Sequence, residues 1–428
     1  MIKQTVLKFK LAITDEHLTS HAGLALFGEF AIGAGIQKYL DKYLPEPGSG
    51  KGYLPSEHVY PLLLMLTGGG RSLEDLREIR EDRGLREILG LKRIPSSDAT
   101  GDWLRRSGSN GCLKGLESVN HQVLKRALQR DGIKAYTLDI DATGIEAEKE
   151  TAKRTYKGYK GYMPIVGHLA ENGLVIGNDF REGNASPGSK NLEFLKDCEK
   201  QLPKGKRIGA FRADSASYQA KIINHCEAHG IRYAIGGDLD RAVKKVIKTI
   251  KKEDWRPYQG GRIGESIHSM EKTDRAFRLI VIKRPYQGNL FDREEPSERT
   301  TVIVTNREES AEEVVKWYNQ RGQCSENRIK ELKIGYGMER MPCGQFEANA
   351  VFFRIGVLAY NLGRLFTLKV LGEQWHHHQV QTLRWKLFGT SGKVIYHGRY
   401  IYLKVSRMLE RLFSRIRQRS WEYAQGWT

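Results

Sequence analysis

An alternating segment near residue 135 places the strongest constraint on the fold. Residues 135–143 read Ala-Tyr-Thr-Leu-Asp-Ile-Asp-Ala-Thr, so apolar side chains share one face and polar ones, two of them aspartates, share the other. A repeat of two indicates a β-strand with one buried face. Two further strand-like runs follow, joined by Asn172-Gly173, a typical hairpin turn. Another strand ends at Asp214, and helices then alternate with strands. This order predicts an α/β protein with a mixed sheet.

The chain is strongly basic, with a formal charge of +19 and a pI near 9.6. Such an excess favours a polyanionic partner, most commonly nucleic acid. The last 78 residues hold 13 Lys or Arg against three Glu. Within them Arg407, Arg411, Arg415 and Arg419 recur every four residues, which places them along one side of a predicted helix. We interpret this side as a phosphate-binding face for double-stranded DNA.

The cysteines and the apolar stretches indicate the cellular setting. Five cysteines form no Cys-x-x-Cys pair and are odd in number, which argues against a disulfide framework or a zinc module. The longest apolar stretch, residues 355–371, is interrupted by Asn361, Arg364 and Lys369, which argues against a membrane span. The first residues do not have the pattern of a signal peptide. We therefore expect a cytoplasmic protein without membrane attachment.

Three separated acids are the candidates for chemistry. Asp141 and Asp214 each lie at the end of a predicted strand, and Glu326 lies on a later helix. Acids at the carboxyl ends of neighbouring strands converge on one crevice of an α/β sheet. Carboxylates without His or Cys favour Mg²⁺ or Mn²⁺, and two such ions can activate water and stabilise a leaving oxygen. Asp139 points to the same side of its strand as Asp141, so it is an alternative ligand.

Three segments around these acids resemble the DDE transposases of bacterial insertion sequences. The segments are Asp139-Ile-Asp141-Ala-Thr143, Phe211-Arg-Ala-Asp214-Ser and Tyr318-Asn-Gln-Arg321-Gly-Gln-Cys-Ser-Glu326-Asn-Arg-Ile-Lys-Glu-Leu-Lys333. The third resembles the Tyr-Arg-Glu-Lys signature of one large transposase group. Together with Arg-Glu-Gly-Asn-Ala-Ser-Pro-Gly at 181–188, it is most similar to the "IS thirteen-eighty" family. The resemblance extends over essentially the whole chain.

This resemblance implies a fold, an activity and partners. It implies an RNase H-like core in which Asp141, Asp214 and Glu326 hold two metal ions, Mg²⁺ or Mn²⁺. It implies binding to the terminal inverted repeats of an insertion sequence, cleavage to a free 3′ hydroxyl and strand transfer into target DNA, by a cut-and-paste route. Tyr318, Arg321 and Lys333 are then expected to contact phosphates beside the cleaved strand. A homodimer on DNA is also implied, because two transposon ends must be held together.

The signature departs from the usual pattern at one position. Four residues separate Arg321 from Glu326, where the family has three. On an unbroken helix one extra residue rotates the glutamate by about 100°. Gly322 offers a place for a bulge that absorbs this rotation. Without such a bulge, Ser325 takes the expected place of the glutamate.

The chain is predicted to contain five regions. The first has short helices separated by Gly and Pro, which is compatible with a helix-turn-helix. The predicted regions are a helical DNA-binding region (1–130), the first part of the core with both aspartates (131–253), a β-rich insertion (254–298), the second part of the core with the glutamate helix (299–340) and a basic, mainly helical region (341–428). Two rival functions stay open: a nuclease without strand transfer on the same core, and a catalytically inactive DNA-binding protein descended from a transposase.

Overall fold

A computed structural model describes residue 7, residues 9–285 and residues 298–426 of the 428-residue chain. Within the predicted β-rich insertion, residues 286–297 lie outside the described residues. The described strands are β1 His17–Thr19, β2 Ala135–Ala142, β3 Ile145–Glu146, β4 Lys153–Arg154, β5 Lys160–Tyr162, β6 Ile165–Leu169, β7 Val175–Asp179, β8 Arg207–Ala213, β9 Arg232–Gly236, β10 Arg256–Tyr258, β11 Gly261–His268, β12 Phe277–Pro285, β13 Glu298–Thr305, β14 Gly392–His397 and β15 Tyr400–Lys404.

Helices surround these strands and form most of both ends of the chain. The described α-helices are α1 Ala22–Gly33, α2 Ile36–Tyr43, α3 Pro55–Gly68, α4 Leu76–Glu81, α5 Arg83–Leu89, α6 Ser97–Ser107, α7 Cys112–Leu128, α8 Asn191–Lys200, α9 Ala220–Ala228, α10 Arg241–Thr249, α11 Ala311–Arg321, α12 Asn327–Lys330, α13 Phe346–Leu365, α14 Val380–Leu383 and α15 Glu410–Gln425. Four π-helical segments lie at Gly322–Glu326, Glu331–Gly335, Phe366–Leu371 and Arg384–Phe388.

The central sheet has nine strands in the order β10-β11-β12-β13-β9-β8-β2-β6-β7. Strand β2 lies between β6, which is antiparallel to it, and β8, which is parallel to it. Strand β9 continues the parallel part beside β8. The predicted mixed sheet is therefore confirmed. The strands β10 to β12 pair antiparallel with one another and with β13, so they extend this same sheet at one edge.

Several local predictions agree with the structure. The Asn172-Gly173 turn joins the antiparallel strands β6 and β7, and Gly173 has the positive φ of 74° that glycine tolerates. Ser310 followed by Glu313 three residues later predicts a capping box, and the two side chains form one at the start of α11. Ser72 and Asp75 form another, although the helix there begins as a 3₁₀ turn before α4.

Two local predictions need correction in the amino-terminal part. The apolar spacing of residues 30–44 predicts a single helix, but the chain turns between α1 and α2. Gly35 adopts a φ of 85° there, which ends one helix and starts the next. Ser97, after Pro95, is predicted to cap the next helix, but the amino-terminal cap of α6 is Ser96, whose Oγ accepts from the Ala99 N–H at 3.2 Å.

Helix α13 joins the helical regions to the sheet. It packs against α3, α6 and α7 and also against β7. With the π-helical segment that follows, it forms a stretch, Phe346–Leu371, that is long and apolar enough to cross a membrane by length and composition. However, 83% of its most apolar window is buried inside the protein. A helix in a protein core passes the same test, and this stretch forms part of the core.

Candidate active site

Asp141 and Asp214 lie side by side at the carboxyl ends of β2 and β8, two neighbouring strands inside the central sheet. Strands β2 and β8 run parallel, and Ile140 is paired with Ala213. The next residue of each strand is therefore an aspartate, and both follow the carboxyl direction of their strands. The Asp214 carboxylate also caps a short 3₁₀ turn, accepting from the Ala216 N–H at 3.2 Å. Parallel pairing thus places the two predicted acids in the crevice where α/β proteins usually bind ligands.

A π-helical segment absorbs the extra residue before Glu326. Helix α11 ends at Arg321, the segment Gly322–Glu326 follows without a break, and α12 continues from Asn327. A π-bulge accommodates one additional residue in a helix. Ser325 is fully buried, whereas Glu326 is exposed. The expected bulge is therefore present, and it is the glutamate rather than the serine that faces outward.

Arg321 links this helix to the end of β2. Its Nη2 lies 3.2 Å from Oδ1 of Asp141 and donates to the carbonyl oxygen of Ile140, also at 3.2 Å. Its Nε is buried and has no hydrogen-bond partner among the described residues. The guanidinium therefore ties the end of α11 to the carboxyl end of β2.

The charges of Asp214 and Glu326 act on Asp141. Burial raises the pKa of Asp141 to about 6, the nearby Arg321 guanidinium opposes this shift, and the negative charges of Asp214 and Glu326 add to it. Burial likewise raises the pKa of Tyr318, whose hydroxyl experiences the charges of the same groups. All three acids therefore lie within electrostatic range of one another.

The donor set fits a hard divalent cation by its chemistry. Burial raises the pKa of Asp141 and the charges of Asp214 and Glu326 add to this shift, so a cation near these carboxylates would stabilise their ionised forms. In the described part of the chain, no three His, Cys, Asp or Glu side chains are close enough to hold one ion together. The charge of Asp141 is neutralised by its ion pair with Arg321.

Asp139 has a different environment from Asp141. Its side chain is fully buried, and both of its carboxylate oxygens accept from Arg212, at 2.7 Å from Nε and 2.8 Å from Nη2. Burial raises the pKa of Asp139, and the Arg212 guanidinium opposes that shift. Because Arg212 already occupies both oxygens, this geometry favours Asp141 over Asp139 as the first metal ligand.

Arg212 was not singled out from the sequence, although it positions the site. Its Nη1 donates to the Trp317 carbonyl oxygen at 2.6 Å, and its guanidinium lies over the Trp317 ring, 4.9 Å from the centroid. It therefore connects β2 and β8 to α11, the helix that carries Arg321. The parallel register places Arg212 directly beside Asp139, and the sequence alone carries no signal of this register.

Tyr318 and Lys333 also lie near this edge of the sheet. A Cβ added at Gly236 would lie 3.0 Å from the Tyr318 hydroxyl, so glycine at the end of β9 allows the tyrosine to approach Asp214. The Lys333 ammonium donates to the Gly144 carbonyl oxygen at 2.6 Å, three residues after Asp141. Burial lowers the pKa of this ammonium. The structure therefore brings the four signature residues, Tyr318, Arg321, Glu326 and Lys333, to the carboxyl edge of β2 and β8.

The predicted arginine face lies on α15 and the turn before it. Arg407, Arg411 and Arg415 are exposed, and none of them has an ion-pair partner within the described residues. Arg419 differs, because it is partly buried and donates to the Val370 carbonyl oxygen at 3.2 Å. Arg417, on the same helix, is ion-paired with Glu29.

Comparisons with known proteins show the family and the fold of the chain. The family model described as "Transposase DDE domain group 1" matches residues 4–419. No curated protein matches the sequence. Among solved structures, the chain is similar to the piggyBac transposase in a synaptic complex with hairpin DNA, with a TM-score of 0.50 and 11% identity, over 88% of this chain and 82% of that one. At this identity the likeness concerns the fold, and it confirms the predicted RNase H-like class.

Proposed function

The chain belongs to the family of transposases with a DDE domain of group 1, and on this premise we propose that it is an active, metal-dependent enzyme of DNA transposition. It binds the terminal inverted repeats of an insertion sequence, cleaves DNA at the element's ends and transfers the strands to target DNA. We also propose that this chain is a member of the "IS thirteen-eighty" family of bacterial insertion-sequence transposases. The observation that carries this proposal is the pairing of β2 with β8, which sets Asp141 beside Asp214.

We assign the metal-binding role to Asp141, Asp214 and Glu326. Their oxygen donors suit two Mg²⁺ or Mn²⁺ ions, as is general for this family. When bound, such ions supply charge stabilisation at the phosphate and a water nucleophile that forms at neutral pH. Arg321 lies 3.2 Å from Asp141 and neutralises its charge. If Asp141 held such ions, Arg321 would give up this contact, and its guanidinium would then be available to neutralise the phosphate at the cleavage site.

The remaining signature residues bind and orient the DNA strand in this proposal. Lys333 uses one of its three N–H donors on Gly144, which leaves two for a phosphate. The hydroxyl of Tyr318 lies beside the turn that follows Asp214, so it can donate to a phosphate oxygen held there. Arg407, Arg411 and Arg415 form a separate exposed face that tracks the backbone of the duplex.

The assembly and setting are part of the same proposal. Two transposon ends must be held together, so the enzyme acts on DNA as a homodimer in the cytoplasm. Regions 1–130 and 341–428 contribute DNA contacts, and regions 131–253 and 299–340 contribute the chemistry. The strands within 254–298 extend the central sheet beside β13 and are assigned to the support of DNA near the site.

The test uses a plasmid that carries the DNA flanking the coding sequence on both sides. With Mg²⁺, the wild-type protein is expected to release the flanked segment and to join its 3′-hydroxyl ends to a second plasmid. Asp214→Ala is expected to lose cleavage by a factor of about 10³ or more and to retain DNA binding, since a charge essential to the chemistry is removed. Asp274→Ala, at an exposed acid between β11 and β12, is the matched control and is expected to be active.

Three outcomes would contradict the proposal in different ways. Full cleavage by Asp214→Ala would refute the site. Cleavage without joining of a 3′-hydroxyl donor would show a nuclease. Binding by the wild-type protein without any metal-dependent cleavage would show an inactive DNA-binding descendant.

A further inference from the structure

The hairpin of β14 and β15, residues 392–404, presents unusually exposed aromatic side chains. Tyr396, Tyr400 and Tyr402 are 57%, 71% and 45% exposed, and Ile401 between them is 44% exposed. The hairpin belongs to a small sheet in the order β1-β14-β15, so β15 is an edge strand. Tyr396 pairs with Ile401 and His397 with Tyr400, so Tyr396 and Ile401 lie on one face of the hairpin and Tyr400 and Tyr402 on the other. Both faces of this ribbon therefore expose apolar side chains, as a surface that binds a partner does.

The same hairpin is positively charged. The sequence contains no Asp or Glu from residue 374 to residue 409. Arg399, in the turn, and Lys404, at the end of β15, are exposed, and neither has an ion-pair partner in the part of the chain that the structure describes. Exposed tyrosines interleaved with unneutralised cations suit a nucleic acid, because the rings contact sugar and base edges while the cations contact phosphates.

The hairpin is short, narrow and firmly attached. His397 pairs with Tyr400, so the turn has two central residues, and Gly398 provides the positive φ of 60° at the first of them. Strand β14 pairs with β1, and Lys393 at its base is ion-paired with Glu16. A two-stranded ribbon of this type has the width that the major groove of B-DNA admits.

The hairpin leads directly into the exposed arginine face. Lys404 ends β15, and Arg407 begins the 3₁₀ turn that continues into α15. The cations of the hairpin and those of Arg407, Arg411 and Arg415 therefore form one continuous stretch of chain. A ribbon in a groove and a helix on the adjoining backbone can together bind one duplex.

From these observations we propose that the β14–β15 ribbon inserts into a groove of double-stranded DNA and forms a contact separate from the carboxylate site. The proposal rests on the proposed function, since it assumes an enzyme that binds duplex DNA. The other occupant to consider is the same ribbon of a second copy. A two-fold contact sets the same patch against itself, and here it would oppose like charges without any acid on the hairpin to neutralise them.

The experiment measures binding of the full chain to a duplex of about 30 base pairs and mixed sequence, between about 50 and 200 mM salt. Arg399→Ser combined with Lys404→Ser is expected to weaken binding and to reduce the slope of log K against log salt by about 1.8, which corresponds to two phosphate contacts. Tyr400→Ser combined with Tyr402→Ser is expected to weaken binding by roughly tenfold, the scale of one lost contact, without a change in slope.

Two control variants match these changes. Arg417→Ser removes a cation that is ion-paired with Glu29. Ile267→Ser removes an apolar side chain that is 72% exposed on β11. Both are expected to bind DNA with an affinity close to that of the wild-type protein. Equal thermal unfolding midpoints for all variants would show that the fold is intact.

The outcomes separate this proposal from the proposed function. If the wild-type protein binds duplex DNA but both ribbon variants bind as well as it does, with the same slope, the ribbon proposal is refuted and the transposase proposal is not. If the tyrosine variant changes the sedimentation of the protein but not its affinity for DNA, the ribbon is a contact between copies and the proposal is also refuted. If the wild-type protein binds no DNA at all, the proposed function itself fails.

Discussion

The guanidinium of Arg321 lies 3.2 Å from the carboxylate of Asp141 and occupies the position of a counter-ion between the helix and the sheet. Burial raises the pKa of Asp141, and the negative charges of Asp214 and Glu326 add to this shift, which Arg321 opposes. Arg321 is therefore the cation that offsets the negative charge of the carboxylates at the carboxyl ends of β2 and β8. In the proposed metal site, the ions and Arg321 would compete for the same carboxylate.

Replacing Arg321 by glutamine tests this competition. In Arg321→Gln the three carboxylates lose their counter-ion, so added Ca²⁺ or Mn²⁺ should raise the Tm by about 2 °C more than it does in the wild-type protein. Cleavage should fall by about 10² to 10³, because a positive charge near the reacting phosphate is removed. Thermal unfolding with and without metal measures the first effect. An equal metal-induced shift in both proteins would show that Arg321 does not compete.

Asp139 and Asp141 should respond differently to the same substitution. Asp139→Asn breaks the buried pair with Arg212 and is expected to lower the free energy of unfolding by about 3 to 5 kcal/mol. Asp141→Asn is expected to abolish metal-dependent cleavage with little loss of stability. Urea unfolding and plasmid cleavage on both variants measure the two effects. The reverse pattern would identify Asp139 as the ligand.

The π-helical segment predicts opposite effects for a deletion and an insertion. Deletion of Gln323 restores the usual spacing, so α11 can continue as a regular α-helix to the glutamate, and activity should stay within about tenfold of the wild-type rate. Insertion of an alanine after Gln323 turns the glutamate by about 100° further and should reduce cleavage by about 10² or more. Cleavage rates measure both effects. An active insertion variant would refute the importance of the Glu326 orientation.

A buried histidine predicts how stability depends on pH. His168 is buried with neither ring nitrogen hydrogen-bonded among the described residues, and burial lowers its pKa from 6.5 to about 3. Between these values the unfolded chain binds the proton and the folded chain does not. The contribution of His168 to stability is therefore complete above about pH 6.5, and it falls by about 1.4 kcal/mol per pH unit as the pH decreases toward 3.

His168→Phe should reduce the steepness of this decline by about one proton, because phenylalanine cannot take up the charge. The ring of His168 packs edge-on against Tyr360, a contact that phenylalanine can keep. Unfolding free energies at pH 7 and pH 5 measure the difference. His377→Gln, at an exposed position, controls for the loss of a histidine elsewhere. An unchanged pH dependence in His168→Phe would contradict the assignment.

The arginine face predicts a specific salt dependence. Substitution of Arg407, Arg411 and Arg415 by glutamine removes three unpaired cations and should reduce the slope of log K against log salt by about 2.7. Arg417→Gln on the same helix removes a cation that Glu29 already neutralises, so its slope should change far less. Binding titrations at several salt concentrations measure both slopes. A slope that is equal in the triple variant and the wild-type protein would remove this helix from the DNA interface.

Much of the site could be predicted because its determinants are local. The alternation of residues 135–143 predicts β2. Asp214 ends the next predicted parallel strand, and acids at the carboxyl ends of neighbouring strands meet in one crevice. The capping box of Ser310 and Glu313 predicts where α11 begins. The spacing between Arg321 and Glu326 is one residue longer than in the transposase signature, and this difference predicts the bulge. Each of these signals spans no more than a few turns or one strand.

Other features depend on partners that are distant in sequence. Alternation places Asp139 and Asp141 on the same face, but it cannot show that Arg212 covers one of them and leaves the other for a ligand. The strands β10 to β12 contain a pattern that predicts β-structure, but not that antiparallel pairing with β13 would extend the central sheet. The three-residue strand β1 has almost no pattern of its own, and it exists because β14 pairs with it.

The pairing of β1 with β14 has a consequence for how the chain folds during synthesis. His17 meets Val394, and the ring of Phe30 in α1 packs on Tyr423 in α15, 5.2 Å between centroids. Contacts that are this far apart in sequence form late, because nearly the whole chain must be available before they close. Helix α1 therefore lacks part of its packing surface until α15 has been synthesised. A chain that ended before α15 would leave apolar surface of α1 uncovered.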